Sequence, residues 1–168
     1  KLAKENLIKS NVSGKIFITG NTVIDCLFMI LKKQIKNYEI KNFDWCDQKV
    51  ILTTIHRREN WGQNLLEIIK GIKKVIEKYN DFYFLIPLHP NKIVRDTIKK
   101  HLSNIKQVFL VEHLKYDQLA YVMQKCTFVL TDSGGLQEEA PSLGKPVLVL
   151  RNKTERKESL ESGVAKLI

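Results

Sequence analysis

Apolar residues follow two spacings along this chain, and the spacing assigns the elements. From Asn64 to Asn80, Leu65, Ile68, Ile69, Ile72, Val75, Ile76 and Tyr79 recur at steps of three and four, the stripe of a helix that packs on a sheet. Lys49 to Ile55 instead carries dense β-branched residues between polar segments, the pattern of a strand buried on both faces. Asp81–Pro87, Val108–Glu112, Thr127–Thr131 and Pro146–Leu150 also read as strands, with Asn91–His101, Tyr116–Gln124 and Gly135–Leu143 as helices among them. Upstream, Lys15–Thr19 reads as a short strand. Asn21-Thr22 then caps a helix whose Val23, Leu27, Ile30, Leu31, Gln34 and Ile35 fall on or near one face. A polar connector covers Glu39 to Gln48; at the far end Glu155–Ser162 reads as helix and Val164–Ile168 as strand. This alternation predicts one α/β domain over residues 1–168, a Rossmann-like parallel sheet with helices on both faces. Such sheets bind ligands beyond the carboxyl ends of their strands. His56, His89, Glu112 and Ser133 each follow a strand and are expected along that edge.

Length and charge narrow the function. A chain of 168 residues supports a substantial core, burying about 70% of its unfolded surface. It contains no apolar run near the roughly 20 residues that cross a bilayer, so no membrane partner is expected. It opens on Lys1 and stops inside an expected strand, so both ends read as cut. The formal charge of +10 raises nucleic acid as a partner. Against it, the lysines come as helix-surface pairs (Lys32-Lys33, Lys73-Lys74, Lys99-Lys100), interleaved with acids and without aromatic stacking platforms. Solvated helix faces account for them, and a positive field also suits an anionic diphosphate. Cys26, Cys46 and Cys126 are odd in number and widely spaced among apolar residues, which fits reduced thiols of a cytoplasmic protein and offers no metal-ligand spacing.

The chemistry gathers in a few loops. After Phe128-Val129-Leu130, Thr131-Asp132-Ser133 leads into Gly134-Gly135 and a helix carrying Gln137, Glu138 and Glu139. Paired glycines let a ligand approach the backbone, and amides at a helix start attract anions. Glu139 is suited to accept from both hydroxyls of a ribose, whereas Glu138 is expected to face solvent. His56-Arg57-Arg58-Glu59-Asn60 places an imidazole, two guanidiniums and a carboxylate in a strand-to-helix loop. Guanidinium matches phosphate oxygens and histidine moves protons near neutral pH; a surface loop of paired Arg and Glu is an equal alternative on these residues alone. Pro87-Leu88-His89-Pro90-Asn91 adds a second strand-end histidine.

Ser133 to Arg151, followed by Thr154-Glu155-Arg156, resembles the C-terminal domain of the non-hydrolysing UDP-N-acetylglucosamine 2-epimerases. Gly20-Asn21-Thr22-Val23-Ile24-Asp25 and the His56 loop carry the same resemblance, which runs from about Gly20 to the end. It implies half of a two-domain GT-B fold whose N-terminal domain is absent here. It implies His56 as a catalytic residue, Arg57, Arg58 and Glu59 as nucleotide-sugar or loop-ordering contacts, and His89 as a ligand contact. Ser133, Gly134 and Gly135 are implied at the diphosphate, Glu139 at the ribose, Arg156 at the nucleotide, and Leu114 to Leu119 near the uracil. One departure stands out: Lys92 occupies the place of a family proline after Asn91. The implied ligands are UDP and UDP-N-acetylglucosamine, without metal or nicotinamide cofactor; the implied partners are the remaining domain and, in the longer protein, a second subunit. A hydrolysing 2-epimerase, a GT-B glycosyltransferase domain and a pure binding module stay open.

Overall fold

The apolar run at Lys49–Thr54 forms β1, near the middle of a six-stranded sheet. The computed structural model describes residues 2–33, 43, 45 and 48–168. After β1 come α3 (Gln63–Lys78), β2 (Phe82–Pro87), α4 (Lys92–Leu102), β3 (Val108–Val111), α5 (Tyr116–Lys125) and β4 (Phe128–Thr131). The chain continues through α6 (Leu136–Ser142), β5 (Val147–Val149), α7 (Lys157–Glu161) and β6 (Ala165–Leu167). Two helices precede the sheet, α1 (Leu2–Lys9) and α2 (Thr22–Lys32). The strand order is β3-β2-β1-β4-β5-β6 and every pairing is parallel. This is the expected Rossmann-like sheet.

Period-two alternation sends neighbouring residues of β1 to opposite faces, and each face has its own core. Val50 and Leu52 pack with Leu27 of α2, Ala120 and Met123 of α5, and Ala140 of α6. Ile51 faces the other way, into Leu65, Ile69 and Ile72 of α3 and Ile98 and Leu102 of α4. The α3 stripe therefore docks as its spacing predicts. The α6 helix ends at Ser142 with Leu143 as its cap, and Gly144 takes φ of 71°, where an L side chain is strained. Pro141, inside α6, has no N–H to give the Gln137 carbonyl four residues back. Ser159 Oγ donates to that carbonyl at 3.3 Å instead, tying α7 to α6.

Two expectations fail. Lys15–Thr19 is not a strand, and Phe17 and Ile18 are 75% and 67% exposed. Strand propensity forms no ladder without a neighbouring edge, and this segment pairs with none of the six strands. Val23 is also exposed, so the buried stripe of α2 begins at Leu27. Gln34, Ile35, Cys46 and most of the Glu39–Gln48 connector lie outside the described residues.

Candidate functional site

The loop after β1 is built on Asp132. That carboxylate follows directly on β4, is fully buried, and accepts the backbone N–H groups of His56 at 3.0 and 3.1 Å and of Arg57 at 2.9 Å. Asn60 Nδ2 donates to Asp132 at 2.9 Å and to the Leu150 carbonyl at 3.0 Å, fixing a single 3-10 turn at Arg58–Asn60. His56 Nδ1 lies 2.8 Å from Asp132 Oδ1. Burial alone would raise the Asp132 carboxyl; the donors on His56, Arg57 and Asn60 outweigh it and hold the carboxyl below its usual range.

The Ser-Gly-Gly turn is held from behind by Gln137. This fully buried side chain donates from Nε2 to the Ser133 carbonyl at 3.1 Å and accepts from Thr154 Oγ1 at 2.6 Å. Ser133 N–H donates to Thr131 Oγ1 at 2.9 Å. A Cβ at Gly135 would come within 3.3 Å of Glu139 Oε1, and one at Gly134 within 3.8 Å of Arg57 Nη2. Both glycines have negative φ or no left-handed strain, so close approach rather than backbone freedom favours glycine at Gly135. Arg151 then bridges Glu59 and Glu155, each at 3.2 Å. The His56 loop, the Ser133 turn and the Thr154-Glu155-Arg156 segment, far apart in sequence, form one bonded unit.

A cavity of about 410 Å³ opens at the carboxyl ends of β1, β2 and β4. His56, His89, Ser133 and Glu139 line it, together with Leu114, Tyr116 and Leu119. Tyr116 donates to Glu139 Oε2 at 3.0 Å. Burial first, then the neighbouring Glu139 charge, pushes the Tyr116 hydroxyl up to about 12, so it stays a donor at neutral pH. Burial also raises the Glu139 carboxyl, with the Glu138 charge adding to it and the Tyr116 hydrogen bond opposing. His89 is held below its usual range by burial and by the adjacent His56 and His113.

The remaining expected residues fall elsewhere. Arg57 approaches the turn at Gly134, whereas Arg58 is exposed and outside the cavity lining. Glu59 turns to a separate groove of about 660 Å³ between α3 and the sheet. Glu112 does not join the cavity; it forms an ion pair with Arg95 on the outer side of the edge strand β3. Glu138 does not simply face solvent. It accepts from Asn21 Nδ2 at 2.5 Å, and Arg156 Nε lies against its other oxygen as an ion pair. Lys92 in place of proline does not delay α4, because Asn91 Oδ1 caps Ile93 N–H at 3.0 Å. Sequence reasoning gave no role to Asp132, Asn60 or Tyr116. The signal for Asp132 was a carboxylate directly after a strand of mostly apolar residues; Tyr116 lay in the Leu114 to Leu119 stretch that the resemblance places near the uracil, with no side-chain role given.

A family model described as UDP-N-acetylglucosamine 2-epimerase matches residues 1–168. The UDP-N-acetylglucosamine 2-epimerase of Campylobacter jejuni is 46% identical over 176 residues, an alignment covering 98% of this chain and 46% of that protein. The crystal structure of UDP-GlcNAc 2-epimerase from Neisseria meningitidis bound to UDP-GlcNAc superposes with a TM-score of 0.84 and 44% identity, over 99% of this chain and 47% of that one. An E. coli heptosyltransferase, WaaC with ADP, superposes with a TM-score of 0.59 at 14% identity, over 98% of this chain and 48% of that one, a likeness of fold alone. The chain thus spans a little under half the length of these relatives. On the full-length match of its sequence to the family model, the chain belongs to the UDP-N-acetylglucosamine 2-epimerase family.

Proposed function

We propose that this chain is the nucleotide-binding, C-terminal half of a two-domain, GT-B-type UDP-N-acetylglucosamine 2-epimerase of the non-hydrolysing branch. The observation that carries this reading is the cavity where His56, the Ser133 turn and Glu139 meet beyond the strand ends. Glu139 takes the ribose hydroxyls, Ser133, Gly134 and Gly135 the diphosphate, and Arg57 and Arg156 supply positive charge to a departing UDP. Arg58 and Glu59 act at a longer range, ordering the loop. The cavity wall at Leu114, Tyr116 and Leu119 receives the base.

The reaction inverts C2 of UDP-N-acetylglucosamine to give UDP-N-acetylmannosamine, through elimination of UDP to a glycal and its re-addition. One group must remove the C2 proton and another return it to the opposite face. His56 supplies part of this proton traffic. The carboxylates that complete it belong to the other half of the polypeptide, so this chain alone is expected to be inert. A cytoplasmic place in the supply of surface-polysaccharide precursors follows from this reading, as does a homodimer of the longer protein. The Arg57-Arg58-Glu59-Asn60 run favours the non-hydrolysing branch; a hydrolysing enzyme would release free N-acetylmannosamine.

Calorimetric titration with UDP tests the site. At most weak binding is expected of this chain alone, and Glu139→Ala should weaken it by a further factor of roughly 10 to 100, the range for hydrogen bonds to a charged group. A folded wild type that binds UDP no better than the variant would sink the ribose assignment. Turnover of UDP-N-acetylglucosamine by the purified 168-residue chain would sink the assignment of missing catalytic groups.

A further inference from the structure

Three imidazoles line the cavity, and the structure fixes the proton position on two of them. His56 Nδ1 faces the Asp132 carboxylate at 2.8 Å. A carboxylate only accepts, so neutral His56 carries its proton on Nδ1 and a lone pair on Nε2. His89 is arranged the other way. Its Nδ1 accepts the Asn91 N–H at 3.0 Å, so neutral His89 carries its proton on Nε2. The Asn91 amide is itself held in place, since Asn91 Oδ1 caps the first turn of α4 at 3.0 Å.

We propose that His56 and His89, lining one cavity, form a matched acceptor–donor pair, set by Asp132 and the Asn91 amide, which recognises sugar hydroxyls rather than phosphate. A hydroxyl both donates and accepts, so sugar hydroxyls can donate to Nε2 of His56 and accept from Nε2 of His89. An ionised phosphate oxygen only accepts; it would satisfy His89 and leave the His56 lone pair facing another lone pair. The sugar half of the ligand therefore lies beside these histidines, and the diphosphate lies toward the Ser133 turn. Asp132 is a positioning residue that acts through His56. The assignment of a sugar hydroxyl rests on the sugar-nucleotide reading above, whereas the tautomers do not.

Long-range proton–nitrogen correlation NMR on the uniformly ¹⁵N-labelled chain reads both tautomers directly, at about two pH units above the ordinary histidine pKa. His56→Gln and His89→Gln assign the signals. The expected pattern is Nδ1–H at His56 and Nε2–H at His89. Asp132→Asn keeps the side-chain shape but can turn an amide donor toward Nδ1, and should move His56 toward Nε2–H while His89 stays unchanged. The same tautomer at both residues, or an unmoved His56 in a folded Asp132→Asn chain, overturns the pair. If that variant does not fold, the wild-type pattern alone decides.

UDP-N-acetylglucosamine should then shift both Nε2 resonances, and UDP, which lacks the sugar, should leave them in place. Equal shifts from UDP alone, or none from the sugar nucleotide, overturn the hydroxyl assignment. Opposite tautomers in a chain that binds neither ligand sink the functional reading and leave the pair standing. Binding with like tautomers does the reverse.

Discussion

A carboxylate taken out of water persists as an ion only where donors surround it, and Asp132 is surrounded. Asp132→Ala strands the His56 and Arg57 N–H groups and Asn60, and should cost roughly 2–4 kcal/mol, read by urea denaturation. The pH dependence follows from the lowered carboxyl. Its stabilisation is full above the ordinary value of 3.8 and is lost as pH falls through the lower folded value. Stability should therefore drop below about pH 4, with a smaller drop in Asp132→Asn. Glu139 has the opposite sign. Its carboxyl is raised above 4.5, so ionisation at neutral pH opposes the fold. Glu139→Gln should stabilise the chain by about 0.5–1 kcal/mol at pH 7 and by nothing below the ordinary glutamate range, as melting at the two pH values would show.

Among elements, α6 meets the most constraints within the fewest residues. It follows directly on the Ser133 turn, buries Gln137 as a strut, and must stop so that β5 can begin. Gly144 provides the stop in the left-handed region, where its amide donates to the Pro141 carbonyl at 2.9 Å. Gly144→Ala should cost about 1–2 kcal/mol, the penalty of an L residue in that region. A urea midpoint equal to wild type would contradict that. Pro141 shows how a helix tolerates proline near its end: the freed Gln137 carbonyl finds Ser159 on α7. That contact also places the Arg156 segment beside the turn, so a residue that interrupts one helix helps assemble the site.

For the whole molecule, the net charge of +10 sums to a positive field that would draw an anionic ligand, as the proposed diphosphate is. UDP affinity should fall as salt rises from about 0.1 M to about 1 M, which shortens screening from about 10 to about 3 Å. An affinity unmoved by salt would indicate that local donors alone hold the phosphates. The sheet and its helices were legible in the sequence because burial on a sheet imposes a period: Leu65, Ile69 and Ile72 at helical steps, and Val50, Ile51 and Leu52 at strand steps, each fit one packing. Lys15–Thr19 misled because strand propensity is local and pairing is not. The loops that meet at the candidate site were legible too, since imidazole, guanidinium and glycine between periodic segments have few structural uses. What each side chain does there was decided by contacts across long stretches of chain. Asp132 meets His56, Glu138 meets Asn21 and Arg156, Glu59 turns to Arg151, and Tyr116 reaches Glu139. Period and composition are properties of neighbours in sequence, so they were enough to specify the layers of the fold and the loops that meet at the candidate site. Hydrogen bonds belong to neighbours in space, so the partners of each side chain came from the folded arrangement alone.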